Sequence, residues 1–248
     1  PIYFFPGIFA LSILAQQITR SKTQKQAAIF GYIFGLGFFL SSLYWIAFGV
    51  GVYIEQFWWA IPFALFGLPA FLALFVSAEA ALAWKARNYK FFHIIFCLSW
   101  LFMEWLLSWA FTGLPWAMIG YAFSISTTLA QSASIFGVWG LSFIGVYIGS
   151  IFYSKKQLAS RIFTSLIILF IMIGFGYQRL NANPTIFTDI KIRIVQPSIP
   201  QTAKWDIEEF WSNLGKHIAL SKQQGEPDII IWSEAALTAP YYYSSIKN

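Results

Sequence analysis

The sequence predicts a polytopic α-helical membrane bundle followed by the start of a small α/β domain. Three observations carry that reading. Only 10% of the 248 residues are charged, while 58% are hydrophobic and 21% aromatic, against roughly a quarter charged in an ordinary soluble domain. The apolar residues gather into long runs instead of spreading evenly. Beyond residue 185 the composition turns polar, and the pattern there becomes strand, helix, strand.

Six apolar runs occupy approximately residues 2–18, 27–50, 57–83, 91–111, 129–152 and 162–177. Crossing the hydrocarbon core takes about 20 residues of helix, so the first and last, at about 16 or 17, are marginal. No soluble helix is apolar on every face for so long. Inside lipid only helices or closed barrels satisfy the backbone, and barrel strands would alternate with a period of two. The expected division is therefore a transmembrane domain over 1–180 and a polar domain over 185–248.

Charge assigns the sides. Arg20, Lys22 and Lys25 follow the first run; Lys85, Arg87 and Lys90 follow the third; Lys155, Lys156 and Arg161 follow the fifth. The second loop carries only Glu55, and residues 112–128 carry no charge. Basic loops face the cytoplasm, which sends the polar tail to the opposite side, the periplasm of a bacterial inner membrane. The same alternation starts Pro1 on the outer side with no basic leader, so a further helix is expected upstream. The net charge of +6 follows this loop pattern and is no sign of a nucleic-acid partner. Cys97 is the single cysteine, and His93 and His217 stand far from it and from each other in sequence. No disulfide, metal site or cofactor is expected.

Within the spans, Gly31 with Gly35 and Gly145 with Gly149 have the spacing of closely packed helices. Glu79 is expected near enough to the cytoplasmic end to reach water. Glu104, deeper in Trp100-Leu101-Phe102-Met103-Glu104-Trp105, is expected to be an interior structural acid. Cys97, in an apolar span, is expected to be unreactive. The Gly and Pro of Thr112-Gly113-Leu114-Pro115-Trp116 should stop the fourth span on the outer face. Trp116 and Tyr121 suit the headgroup level, either as an aromatic belt or as a lipid-facing lip.

In the tail, Ile190, Ile192 and Ile194 alternate with Lys191 and Arg193, which predicts a strand over 190–195. Pro197 and Pro200 break it into a loop over 196–205. Asp206 with Glu209 predicts a capped helix start, and Ile207, Phe210, Trp211, Leu214 and Ile218 then recur at helical spacing. Gly225 and Pro227 end that helix. The β-branched run of 228–232 is a second strand, stopping at Ser233-Glu234 before an apolar stretch that leads to Pro240. A strand-helix-strand crossover makes the two strands parallel and puts their carboxyl ends on one edge, where α/β sheets bind ligands. Lys204, Trp205 and Glu234 are expected to converge there. A carboxylate at the end of an apolar strand is partly desolvated, which suits Glu234 to general-base work.

Three stretches in chain order carry a resemblance. They are Glu104-Trp105-Leu106 with Thr112–Trp116 and Gly120-Tyr121; Val195-Gln196-Pro197-Ser198-Ile199-Pro200-Gln201-Thr202-Ala203-Lys204-Trp205-Asp206; and Ile230-Ile231-Trp232-Ser233-Glu234. Behind this membrane topology they resemble the apolipoprotein N-acyltransferases, bacterial inner-membrane enzymes with a periplasmic nitrilase-like domain. The resemblance implies that 185–248 begin an αββα sandwich. It implies a Glu-Lys-Cys triad in which the cysteine takes an acyl chain from a phospholipid as a thioester. The lysine steadies the oxyanion, and the amine of a lipidated apolipoprotein receives the chain. Glu234 matches the triad's proton acceptor and Trp205 matches a tryptophan needed for activity; Trp205 and Trp116 are the candidate substrate-binding residues. The triad's Lys and Cys are expected downstream of Asn248, since neither Lys247 nor Cys97 replaces them, and this stretch alone is expected to be inactive. Pro197-Ser198 stands where the family usually has Gly-Asn or Gly-Asp, Ser233 where it has Pro, and Leu107 where it has Arg. The competing readings are an inactive remnant or split half that holds lipid, and a transporter, which would show internal repeats absent here.

Overall fold

The computed structural model describes residues 4–182 and 184–238. It divides into two compact units, Pro1–Val50 with Trp59–Pro184, and Gly51–Trp58 with Thr185–Asn248. The first unit is helical. Its principal helices are α1 (Phe4–Arg20), α2 (Gln24–Leu43), α3 (Leu68–Lys85), α4 (Phe92–Leu107), α5 (Ala133–Gly149) and α6 (Leu158–Ala182). Four stretches are long and apolar enough to cross a membrane: Gln24–Leu43, Ile54–Lys85, Ala133–Tyr153 and Leu158–Ala182. The lengths differ from expectation in the last span, expected to be marginal, and in the fourth. α6 runs for 25 residues, whereas α4, expected to fill a full span, has 16.

The bundle is apolar inside and out. Leu11, Val76, Phe96 and Trp100 are fully buried, while Phe163, Phe170 and Ile33 point outward and are mostly exposed. Such an exterior suits a hydrocarbon solvent, not water. Two of its contacts follow from particular residues. Phe34 and Phe38 of α2 meet the Trp100 ring edge-on, each with centroids 6.0 Å apart. Gly31 and Gly35 let α2 lie against α3, where a Cβ would stand 2.5 Å from the Ala80 Cβ and 2.9 Å from the Val76 Cβ respectively. Small residues are what permit backbones to approach this closely. The other glycine pair, on α5, faces Ile119 and Ile8 in the same manner.

The two intramembrane acids are both buried. Glu104 behaves as expected: its Oε1 accepts from the Trp100 indole at 3.0 Å and from the Ile119 amide at 2.8 Å, tying α4 to the turns beyond it. Glu79 does not reach water. It is 3% exposed and accepts from the Ser99 hydroxyl at 2.6 Å, because α4 packs over it. After α4 the chain turns back through Phe111 and Thr112, both at positive φ, and Gly113 (φ 84°). The Leu114 amide closes the turn on the Leu107 carbonyl at 2.8 Å.

The second unit holds β1 (Ile192–Val195), α7 (Gln201–Lys204), α8 (Phe210–Ser221) and β2 (Ile229–Trp232). The strands are parallel, with Ile192 opposite Ile229 and Val195 opposite Trp232. Both are shorter than their apolar runs. The capped start at Asp206 is not formed: the Asp206 carboxylate accepts from the Glu208 amide at 2.9 Å, and α8 begins at Phe210 without a side-chain cap. Arg193, on the polar face of β1, donates to the Ser221 carbonyl at 2.5 Å and to the Gln224 carbonyl at 2.7 Å. It thereby closes the carboxyl end of α8, where a cation is favoured. In the same unit, the Tyr53 hydroxyl donates to the Gln201 carbonyl at 3.2 Å.

Candidate functional site

Parallel pairing puts the carboxyl ends of β1 and β2 side by side. Each is followed by backbone that L-residues seldom adopt, Ser198 at φ 52° after β1 and Ala235 at φ 54° after β2. The two departures open a cleft of about 210 Å³ at the sheet edge. Its walls include Gln196, Ser198, Lys204, Asn213, His217 and Ser233. The Lys204 ammonium crosses from the β1 side to the β2 side and donates to the Glu234 carbonyl at 3.2 Å.

The back of the cleft is built by α8. Asn213 donates its amide to the Ala203 carbonyl at 2.9 Å, fixing α7 against α8. His217 Nδ1 lies 2.9 Å from the Asn213 carbonyl, and a carbonyl only accepts, so Nδ1 carries the proton and Nε2 of the neutral ring is an acceptor. The ring packs on Trp232 with centroids 5.0 Å apart. Trp232 in turn donates to the Ser221 hydroxyl at 2.9 Å, which donates to the His217 carbonyl at 2.7 Å. Asn213 Oδ1 and His217 Nε2 are buried without a hydrogen-bond partner among the described residues. The helical spacing did not pick out this pair, because it expected the apolar residues of α8 to be the buried ones; Trp211 and Ile218 are instead exposed. The visible signal was their four-residue spacing, which puts both on one helix face.

The residues singled out from sequence are only partly assembled. Lys204 and Glu234 meet, through the main chain of Glu234. The Glu234 side chain is exposed and takes no part in lining the cleft, although Ser233 and Ala235 do. The desolvation expected of it is therefore not supplied by the described residues: β2 has one neighbouring strand among them, and its first three residues are exposed. Trp205 is 56% exposed and also stands outside the cleft lining. Trp116, in the first unit, is 57% exposed and stacks on Trp45 with centroids 5.2 Å apart. Cys97 is buried with a free thiol. Pro240 and Lys247 lie outside the described residues. Among the described residues no three His, Cys, Asp or Glu gather closely enough to hold a metal ion.

Comparison with known proteins finds relatives along the chain. Residues 1–151 match the family model described as the apolipoprotein N-acyltransferase N-terminal domain. The chain is 55% identical over its whole length to a Rickettsia prowazekii protein named apolipoprotein N-acyltransferase, of which it covers 51%. A protein of the same name from Rickettsia bellii is 53% identical, with the same coverage of each chain. One from Brucella melitensis is 35% identical over 88% of this chain and 43% of that protein. The chain thus spans about half the length of the curated relatives it matches.

Proposed function

The chain belongs to the apolipoprotein N-acyltransferase family, and from that premise we propose that it supplies the membrane bundle and the general-base edge of an enzyme that acylates lipoproteins. The donor is a phospholipid of the bacterial inner membrane. Its acyl chain passes through a cysteine thioester to the amine of a lipidated apolipoprotein. Glu234 is the proton acceptor of a Glu-Lys-Cys triad whose Lys and Cys come from the length of the family that this chain does not span. Residues 1–180 form the transmembrane domain and 185–248 the beginning of a periplasmic, nitrilase-like domain.

One observation carries the site assignment: the parallel crossover sets Glu234 and the loop after β1 on a single edge, with Lys204 reaching the Glu234 carbonyl. A thiol needs such a base to become a thiolate, and fixed donors to hold the oxyanion that follows attack. Trp205 and Trp116 are assigned to substrate contact. Their large exposed rings fit acyl chains better than water. Loop charge supports the periplasmic side. So does the membership of Gly51–Trp58, the acidic second loop, in the same unit as residue 185 onward.

The test is transfer of a labelled acyl chain from phospholipid to a lipidated peptide by the full-length protein with Glu234→Gln. Loss of a general base lowers the rate by about 10²–10⁴-fold, and a drop of at least roughly 100-fold is expected. Turnover near the normal rate would reduce Glu234 to a solvated loop carboxylate.

A further inference from the structure

Two of the three basic loops, the third and the fifth, do more than obey the topology rule, because together with Thr19 at the end of α1 they line one cavity. Trp84, near the end of α3, donates to the Ser21 carbonyl at 2.8 Å, and Gln24 donates to the Ala81 carbonyl at 3.1 Å, which joins the first loop to the third. The fifth loop closes the ring. A concavity of about 260 Å³ results, lined by Arg87, Lys90 and Lys156 together with Thr19, Phe92 and Tyr153. None of its lining residues is acidic.

We propose that this cavity is a binding site for the phosphate-bearing headgroup of an anionic lipid, on the membrane face opposite the proposed acyl transfer and independent of it. Four observations support the assignment. First, the first unit offers these cations no accessible carboxylate. Glu79 and Glu104 are the only acidic residues in 1–50 and 59–184, and both are buried inside the bundle. Second, the walls are held in place. Arg87 lies 3.6 Å over the Trp84 ring and spends one N–H on the Trp84 carbonyl at 3.2 Å, so other guanidinium donors remain for an anion. Arg161 is buried against Tyr153, 4.3 Å from its ring, and donates to the carbonyls of Ser154 and Lys156, which fixes the loop that presents Lys156.

Third, the lining is amphipathic. Phe92 and Tyr153 give the cavity an aromatic floor beside the cations, as suits a group whose head is charged and whose stem is apolar. Fourth, the volume is below the roughly 300–1,000 Å³ of sites that engulf a drug-sized molecule. It matches a headgroup, with acyl chains left to the surrounding bilayer. Basic pockets between helices at this membrane level are the usual receptors for anionic headgroups.

The experiment is native mass spectrometry of the full-length protein titrated with phosphatidylglycerol, phosphatidylcholine or inorganic phosphate. Wild type is expected to retain phosphatidylglycerol over phosphatidylcholine. The double variant Lys90→Ala, Lys156→Ala should bind phosphatidylglycerol about 30-fold more weakly, from about fivefold per cation near a membrane surface. Lys90→Arg with Lys156→Arg should bind normally, and Lys216→Ala with Lys222→Ala should change nothing. A photoreactive phosphatidylglycerol labelled in its head should crosslink wild type within 87–92 or 153–157, a readout that needs no variant to fold. Equal retention of the two lipids, undiminished binding by the alanine pair, or crosslinks confined to other segments would each overturn the proposal. Retention of inorganic phosphate without preference for phosphatidylglycerol would make it a free-anion site and overturn the lipid assignment.

Discussion

Glu104 is an expensive residue to keep in a bilayer, and what it holds explains why it can stay. Its Oε1 takes two donors, the Trp100 indole and the Ile119 amide. A little further along, the Ser142 hydroxyl takes the Gly120 amide at 2.8 Å. Main-chain N–H groups of an irregular segment thus find acceptors where no water can serve them. Replacing Glu104 by Leu would strand both donors. An unpaired buried donor costs about 1–3 kcal/mol, and lipid-embedded bonds fall at the low end of that range. The expected loss is on the order of 2 kcal/mol, seen as a lower melting temperature of the full-length protein in detergent. Glu104→Gln keeps an acceptor and should melt near wild type. Equal melting of the Leu and Gln variants would show that the two hydrogen bonds contribute nothing.

At the scale of elements, the existence of the principal helices was legible, while their ends were not, and the short α7 (Gln201–Lys204) stands where a loop over 196–205 was expected. Apolar runs report burial in lipid or core, which is a property of the whole run. Ends are decided by partners that sequence does not place. α4 stops at Leu107 because the chain folds back and Leu114 bonds its carbonyl. α6 continues past its apolar run to Ala182, and the Arg179 side chain donates to Gln131 at 3.1 Å. The start of α8 was misread because Asp206 has a nearer amide to accept from, that of Glu208. Of the candidate site, the parallel edge was legible from strand-helix-strand order, as was the approach of Lys204 to Glu234. The buried polar face of α8 was not, since nothing in periodicity says that Asn213 will find the Ala203 carbonyl. The glycine spacing was a reliable signal, because it reports a distance between backbones. Gly31→Leu should therefore push α2 off α3 and cost about 1–3 kcal/mol, as overpacking does. Gly37→Ala is the control, with nothing within 4 Å of its added Cβ. A melting temperature unchanged in Gly31→Leu would argue that the α2–α3 contact relaxes freely.

At the scale of the molecule, every functional statement depends on which side of the membrane each unit faces. In sequence the basic loops alternate with a second loop that carries only Glu55, and Lys and Arg resist translocation. The third and fifth basic loops line one cavity with Thr19 at the end of α1, which agrees with their sharing a side. Cys97 makes the orientation measurable, because its thiol is buried and will not compete for reagent. Single cysteines can be placed at Lys22 in the first basic loop, at Glu55 in the second loop and at Gln223 after α8, all exposed positions. A membrane-impermeant maleimide added to intact spheroplasts should label Glu55→Cys and Gln223→Cys. Lys22→Cys should react only after the membrane is opened. Labelling of Gln223→Cys together with Lys22→Cys would put the Glu234 edge on the cytoplasmic side, where the proposed lipoprotein acceptor could not reach it. Labelling of Gln223→Cys apart from Glu55→Cys would instead break the parity of spans and remove the reason for assigning the lipid headgroup site to the opposite face.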